Sequence, residues 1–192
     1  MTQFKFLKIK NFEYQLKTYN QVASSIQKDV SHLESKKNIN ILTADEARDL
    51  EFYTRSLAIL IESTFLQLYA ELEEALYDEC EKQSIKKNAS ISRFETALQK
   101  QGNNIDNEHW NTLLHISKIR NCLLHGNGRL DGDRYGMDTT DTINSLNSDA
   151  STALIEIINL QGHREGISKI KLNEKFLNYC FIKIKNFIGS QE

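Results

Sequence analysis

Apolar residues recur at helical intervals over most of the chain, and these intervals fix where its elements fall. Phe12, Leu16, Val22, Ile26, Val30 and Leu33 follow one another at threes, fours and a six, which predicts an amphipathic helix from about Phe12 to Lys36. The first ten residues alternate Lys with apolar side chains and read either as a short strand or as a frayed lead-in. Lys36–Asn40 is a polar connector. Thr43-Ala-Asp-Glu46 is a capping box, in which the Thr hydroxyl accepts from the third amide and the Glu reaches back. It opens a second, long helix whose stripe of Phe52, Leu57, Leu60, Ile61, Phe65, Leu68, Leu72 and Leu76 carries it to about Lys82.

Residues 86–91 form a loop, and Ser92-Arg-Phe-Glu95 is a second capping box, opening a short helix that Gly102 ends. Asp106 or Asn107 caps a central helix from Trp110 to His125, with Gly126 as its C′ residue. The pattern then fades: 127–150 is polar and glycine-rich, and predicts a long loop or flap. Residues 153–160 and 166–172 are strand-like on either side of 161–165 and predict a small β-hairpin, although the first run also fits a helix. Asn173 caps a last helix carrying Phe176, Leu177, Cys180, Phe181, Ile184, Phe187 and Ile188, with Gly189 ending it.

Composition sharpens this picture. The chain has no proline, so helix ends must be set by caps and glycines, which favours long helices and an all-α fold. Its 192 residues suffice for one well-cored domain over the whole length, and no internal repeat divides them. A formal net charge of −2 argues against a generally basic, DNA-coating protein but leaves room for a local basic site. The three cysteines, Cys80, Cys122 and Cys180, are odd in number and widely spaced, as expected of reduced thiols in the cytoplasm. The longest apolar run, Leu57–Ile61, is far short of the ~20 residues that cross a bilayer, and no signal-type core stands at the N-terminus, so neither membrane insertion nor export is expected.

Candidate chemistry concentrates on the central helix. Trp110, Leu113, Leu114, Ile116, Ile119, Leu123 and Leu124 cover one broad arc, and Arg120 and Asn121 project from inside it. His125 lies at the edge of the arc, one turn beyond Asn121. A guanidinium and an amide on an apolar face need partners, because burying an amide unpaired costs on the order of 2–7 kcal/mol and a charge more. An Arg and a His five apart are expected by chance roughly 0.2 times in this composition, and about 0.02 times with Asn directly after the Arg.

The stretch Ile119-Arg-Asn-Cys-Leu-Leu-His-Gly126 resembles the signature of the HEPN superfamily, Arg followed four to six residues later by His, often with Asn after the Arg. Residues Arg55 to Glu73 resemble the long helix of that superfamily, whose stripe often ends in an aromatic residue and a Glu. The two resemblances cover about a third of the chain. They imply an all-α, HEPN-like bundle of four to five helices, the predicted hairpin near 153–172 departing from the plainest all-α pattern. They also imply a homodimer in which the motifs of two protomers face each other, and a metal-independent endoribonuclease of toxin–antitoxin or phage-defence type with RNA as substrate. An antitoxin or other defence partner is then a further expectation. Other members of the superfamily have lost activity and serve as binding modules.

The residues suit that chemistry on their own terms. Cleaving RNA through its 2′-hydroxyl needs a base for that proton, an acid for the leaving 5′-oxygen and positive charge on the phosphorane oxygens. Histidine, with an ordinary pKa of about 6.5, fits the first two roles, and the fork of arginine fits the third. Two copies of His125 across a dimer would divide acid from base. Arg120, Asn121 and His125 are therefore the candidate catalytic residues; Lys118, Arg129 and Arg134 are candidates for guiding RNA, or are simply solvated charges. Glu73 is either a supporting partner of Arg120 or a surface charge.

Other motifs carry less. His109, His115 and His163 share no helical face with a carboxylate pair at ligand spacing, so neither a metal site nor a cofactor is expected. Asp131-Gly-Asp-Arg-Tyr-Gly136 begins like a calcium loop, but Tyr135 and Thr142 stand where oxygen donors are required. Gly126-x-Gly128 follows a helix, whereas a phosphate-cradling loop precedes one.

Overall fold

A computed structural model describes residues 3–80, 91–101, 105–131, 136–148, 150, 152–159 and 167–190. Among these, six helices surround one hydrophobic core and a two-stranded antiparallel sheet lies against it. The helices are α1 (Gln3–Asn38), α2 (Ala44–Glu79), α3 (Ser92–Lys100), α4 (Asn107–Gly126), α5 (Gly136–Ser148) and α6 (Glu174–Ser190); β1 (Ile155–Asn159) and β2 (Ser168–Leu172) stand between the last two.

Helices α1 and α2, each 36 residues and so about 54 Å long, form an antiparallel pair. Their turn is a Schellman motif: Asn40 takes φ 56°, its N–H donates to the Lys37 carbonyl, and the Ile41 N–H donates to that of Lys36. Thr43 then caps α2 through the predicted capping box. Contacts along the pair fix its register, with Lys8 on Glu74 at 2.8 Å, Gln15 on Glu71 at 3.2 Å and Lys36 on Glu46. The core takes only one half of α2: Ile61, Phe65, Leu68, Tyr69, Leu72 and Leu76 are buried, while none of its residues from Ala44 to Leu60 is. Helices α4 and α6 pack against that half, with Trp110 on Phe187 and Phe65 on Phe176 at ring separations of 5.7 and 5.2 Å.

Several boundaries differ from the sequence reading. Helix α1 begins at Gln3 rather than near Phe12. Buried Ile9 and Phe12 stand a helical step apart, and Lys8 reaches Glu74 and Asp78 on α2, so the alternation of the first ten residues is overridden by packing. Ser92 does not cap α3: Ile91, buried and αR, occupies the N-cap position without a side-chain cap hydrogen bond, and Ser92 is the first helical residue. Gly126 is the last residue of α4, and Asn127, not Gly126, adopts the left-handed conformation at φ 50°. Gly189 lies inside α6 and does not end it.

The largest departure is α5, in a segment expected to be a loop or flap, which raises the helix count beyond four or five. Its buried stripe is Thr139, Thr142, Ile143 and Leu146, a helical spacing in which two positions are threonines. The Thr142 hydroxyl donates to the Asp138 carbonyl at 2.8 Å, which lets a polar side chain be buried inside the helix. The hairpin forms as expected, Ile155 opposite Leu172 through Asn159 opposite Ser168. Asn173 caps α6 by accepting from the Phe176 N–H at 3.0 Å.

Candidate functional site

Helix α4 is held at both ends. At its start the Asp106 carboxylate accepts from the Glu108 and His109 amides at 2.7 and 3.3 Å, which lowers its pKa. Trp110, Leu113, Ile116, Ile119 and Leu123 bury one face. At its end Asn127 and Gly128 both have positive φ, and the Arg129 N–H donates back to the Gly126 carbonyl at 2.9 Å. This is the Asn-Gly pairing that tight turns with two left-handed residues favour. The turn sends the chain onto the edge of β2, where Leu130 N–H donates to the Ser168 carbonyl and Ile170 N–H to that of Gly128. The helix end bearing His125 is thereby fastened to the hairpin.

Arg120 projects from within the buried face, between Ile116 and Leu113, with its side chain 27% exposed. Its Nη1 donates to Asn121 Oδ1 at 3.0 Å, and its Nη2 stands 3.7 Å from Glu73 Oε2. The guanidinium carbon lies 5.3 Å from the ring centre of Tyr69, which is buried and shares a hydrogen bond with Ser117. Burial pushes the Tyr69 phenol up to about 12, so it stays neutral beneath the guanidinium. Of the sequence candidates, Arg120, Asn121 and Glu73 are thus brought into one cluster. Glu73 faces Arg120 and is not a stray surface charge.

His125 is exposed on the last turn of α4, beside Leu124, which is 48% exposed. Lys118, Asn121 and His125 follow one another at i, i+3 and i+7 and so share one stripe. Arg120 stands ~100° round the helix from Asn121 and is tied to that stripe by its hydrogen bond. Arg129 is elsewhere engaged: it donates to both Asp131 oxygens, at 3.0 and 2.6 Å, which lowers the carboxyl pKa and raises that of the guanidinium. Its charge is therefore matched within its own loop. Arg134 and His163 lie outside the described residues.

One member of the cluster escaped the sequence reading. Arg93 on α3 places Nη2 3.6 Å from Glu73 Oε1, so a single carboxylate faces two guanidiniums. The Arg93 side chain is only 10% exposed and lies against the rings of Tyr77 and Phe94, 4.9 and 4.6 Å from their centres. The available signal was weak, an arginine between the apolar positions Ile91 and Phe94 of a short amphipathic helix.

All three cysteines are buried with thiol pKa values raised by desolvation, about 11 for Cys80, which removes them as nucleophiles. Among the described residues no three His, Cys, Asp or Glu side chains gather to hold a metal ion, and no helix is long and apolar enough to cross a membrane. Two surface grooves, of about 360 Å³ between α1 and α2 and about 600 Å³ between α1 and α6, contain none of the motif residues.

No protein-family model, curated protein or solved structure matches the chain.

Proposed function

We propose that the chain is a HEPN-type endoribonuclease that cleaves RNA without a divalent ion, at a site composed of Arg120, Asn121 and His125 from two copies of the chain. The observation that carries this reading is a partly exposed guanidinium, oriented by Asn121 and Glu73, on the same helix as an imidazole exposed one turn beyond that Asn. A guanidinium and an amide half-buried on an apolar face demand partners, and with an exposed imidazole beside them the set has the chemistry of phosphodiester transfer.

In the proposed reaction one His125 takes the proton of the ribose 2′-hydroxyl, whose oxygen bonds to phosphorus as the bond to the 5′-oxygen breaks. The second His125 gives its proton to that leaving oxygen. Arg120 stabilises the equatorial oxygens as charge develops on them. The products are a 2′,3′-cyclic phosphate and a 5′-hydroxyl. Lys118, on the stripe of His125, would contact the RNA backbone in this reading, whereas Arg129 would have to leave Asp131 to contribute. A toxin–antitoxin or phage-defence setting, with an antitoxin partner, belongs to the same proposal.

The experiment is incubation of the purified protein with total RNA in excess EDTA. The expected result is scission by the wild type and none by Arg120→Ala; equal scission by both would overturn the assignment. A second reading draws on the same cluster. Arg120 is already engaged by Glu73, Asn121 and Tyr69, as it would be in a non-catalytic module that binds a nucleotide, RNA or a protein. That reading predicts binding lost in Arg120→Ala with no RNA cut at any protein concentration.

A further inference from the structure

We infer that Arg93 is a positioning residue of this same site: by matching Glu73 from the α3 side, it leaves the Arg120 guanidinium with a net positive charge to offer a phosphodiester. The inference rests on the proposed reading of Arg120 as a phosphate-binding group.

The two guanidiniums approach opposite oxygens of Glu73 at nearly equal distances, 3.6 and 3.7 Å. Arg93, Glu73 and Arg120 together carry one net positive charge. Were Arg93 absent, Arg120 and Glu73 would form a neutral pair and an incoming phosphate would have to compete with the carboxylate for the only cation. The two arginines are not equivalent. Arg93 is the more buried and is flanked by two aromatic rings, so removing the carboxylate opposite it would leave a poorly solvated charge. Arg120 is the more exposed and is the one free to turn toward an anion while Glu73 stays with Arg93. A carboxylate fixed on one side thus orients the second guanidinium without neutralising it.

The test measures binding of a fully 2′-O-methylated RNA oligomer, which lacks the reacting hydroxyl, to the full-length protein across a range of salt. Arg93→Met is expected to weaken binding about tenfold and to lower the salt slope by about one ion. Adding Glu73→Gln to Arg93→Met returns the cluster to one positive charge, and the double variant is expected to recover affinity to within about threefold of wild type. Arg93→Lys, which keeps the charge without the planar fork, is expected to bind like wild type and stands in if Arg93→Met fails to fold. A purely structural arginine would make the double variant worse than either single one; that result, or an unchanged affinity in Arg93→Met, overturns the inference. Wild-type protein that binds the oligomer without cutting RNA overturns the nuclease reading and leaves the charge-balance argument standing; wild-type protein that cuts RNA while Arg93→Met retains full affinity does the reverse.

Discussion

At the residue scale, two glycines two positions apart behave oppositely. Gly126 is helical, and a Cβ there would meet nothing within 4 Å. Gly128 has φ 75°, and a Cβ there would stand 3.0 Å from Lys169 Cε and 3.3 Å from Ile170 Cγ1. Gly126→Ala is therefore expected to be neutral or slightly stabilising, whereas Gly128→Ala should cost on the order of 1–3 kcal/mol. Paired thermal melts check this, and a Gly128→Ala protein as stable as Gly126→Ala would contradict the described turn. The sequence made part of the site legible at this scale. Arg120 and Asn121 stand out because polar groups inside an apolar arc demand partners, and Glu73 is the acid their face of α2 supplies. Arg93 was not legible, because its relation to Glu73 arises from the packing of α3 against α2, which no local spacing encodes.

At the element scale, side-chain caps do work that backbone propensity cannot. Asn147 closes α5 onto β1: its Oδ1 accepts from the Leu154 and Ile155 amides at 2.7 and 3.1 Å, and its Nδ2 donates to the Ile155 carbonyl at 2.9 Å. Asn147→Ala leaves those amides without this acceptor and should cost about 1–3 kcal/mol, read as a melting temperature lowered by several degrees. The capping box of α2 predicts a pH signature. Lys36 and Thr43 hold the Glu46 carboxyl at about 2 against an ordinary value of 4.5. A depressed folded pKa contributes stability above the unfolded value and loses it as pH falls toward the folded one. The stability gap between wild type and Glu46→Gln should accordingly be full above about pH 5 and close between there and about pH 2. A gap independent of pH in acid melts would contradict the cap. Stripes of large apolar residues made α2, α4 and α6 readable in the sequence. Helix α5 was not, because threonines fill half of its buried stripe and count as polar until, as for Thr142, the hydroxyl finds a helical carbonyl.

At the scale of the whole molecule, the outer halves of the α1–α2 pair expose Val22, Phe52 and Ile59, the last two at 65% and 59%. The proposed chemistry requires two imidazoles, and a single chain offers one His125. The protein is therefore expected to sediment at twice its 22.2 kDa chain mass under the conditions in which it cuts RNA; a monomer that cuts would contradict the division of acid and base between two protomers. The mostly helical fold, with its hairpin fastened to the end of α4, follows from the absence of proline and from the long stripes, and those features could be read directly. The assembly and the substrate follow from surfaces and partners, which a pattern of apolar positions does not describe.

RNA scission by paired His125 imidazoles is read out by following one chemically defined RNA oligomer, in EDTA, through wild type and His125→Ala and identifying the ends produced. The wild type is expected to leave a 2′,3′-cyclic phosphate and a 5′-hydroxyl, His125→Ala to lose scission, and no cut to occur where a single 2′-hydroxyl is replaced by hydrogen. Scission at that deoxy position, or the same products at the same rate from His125→Ala, would contradict it.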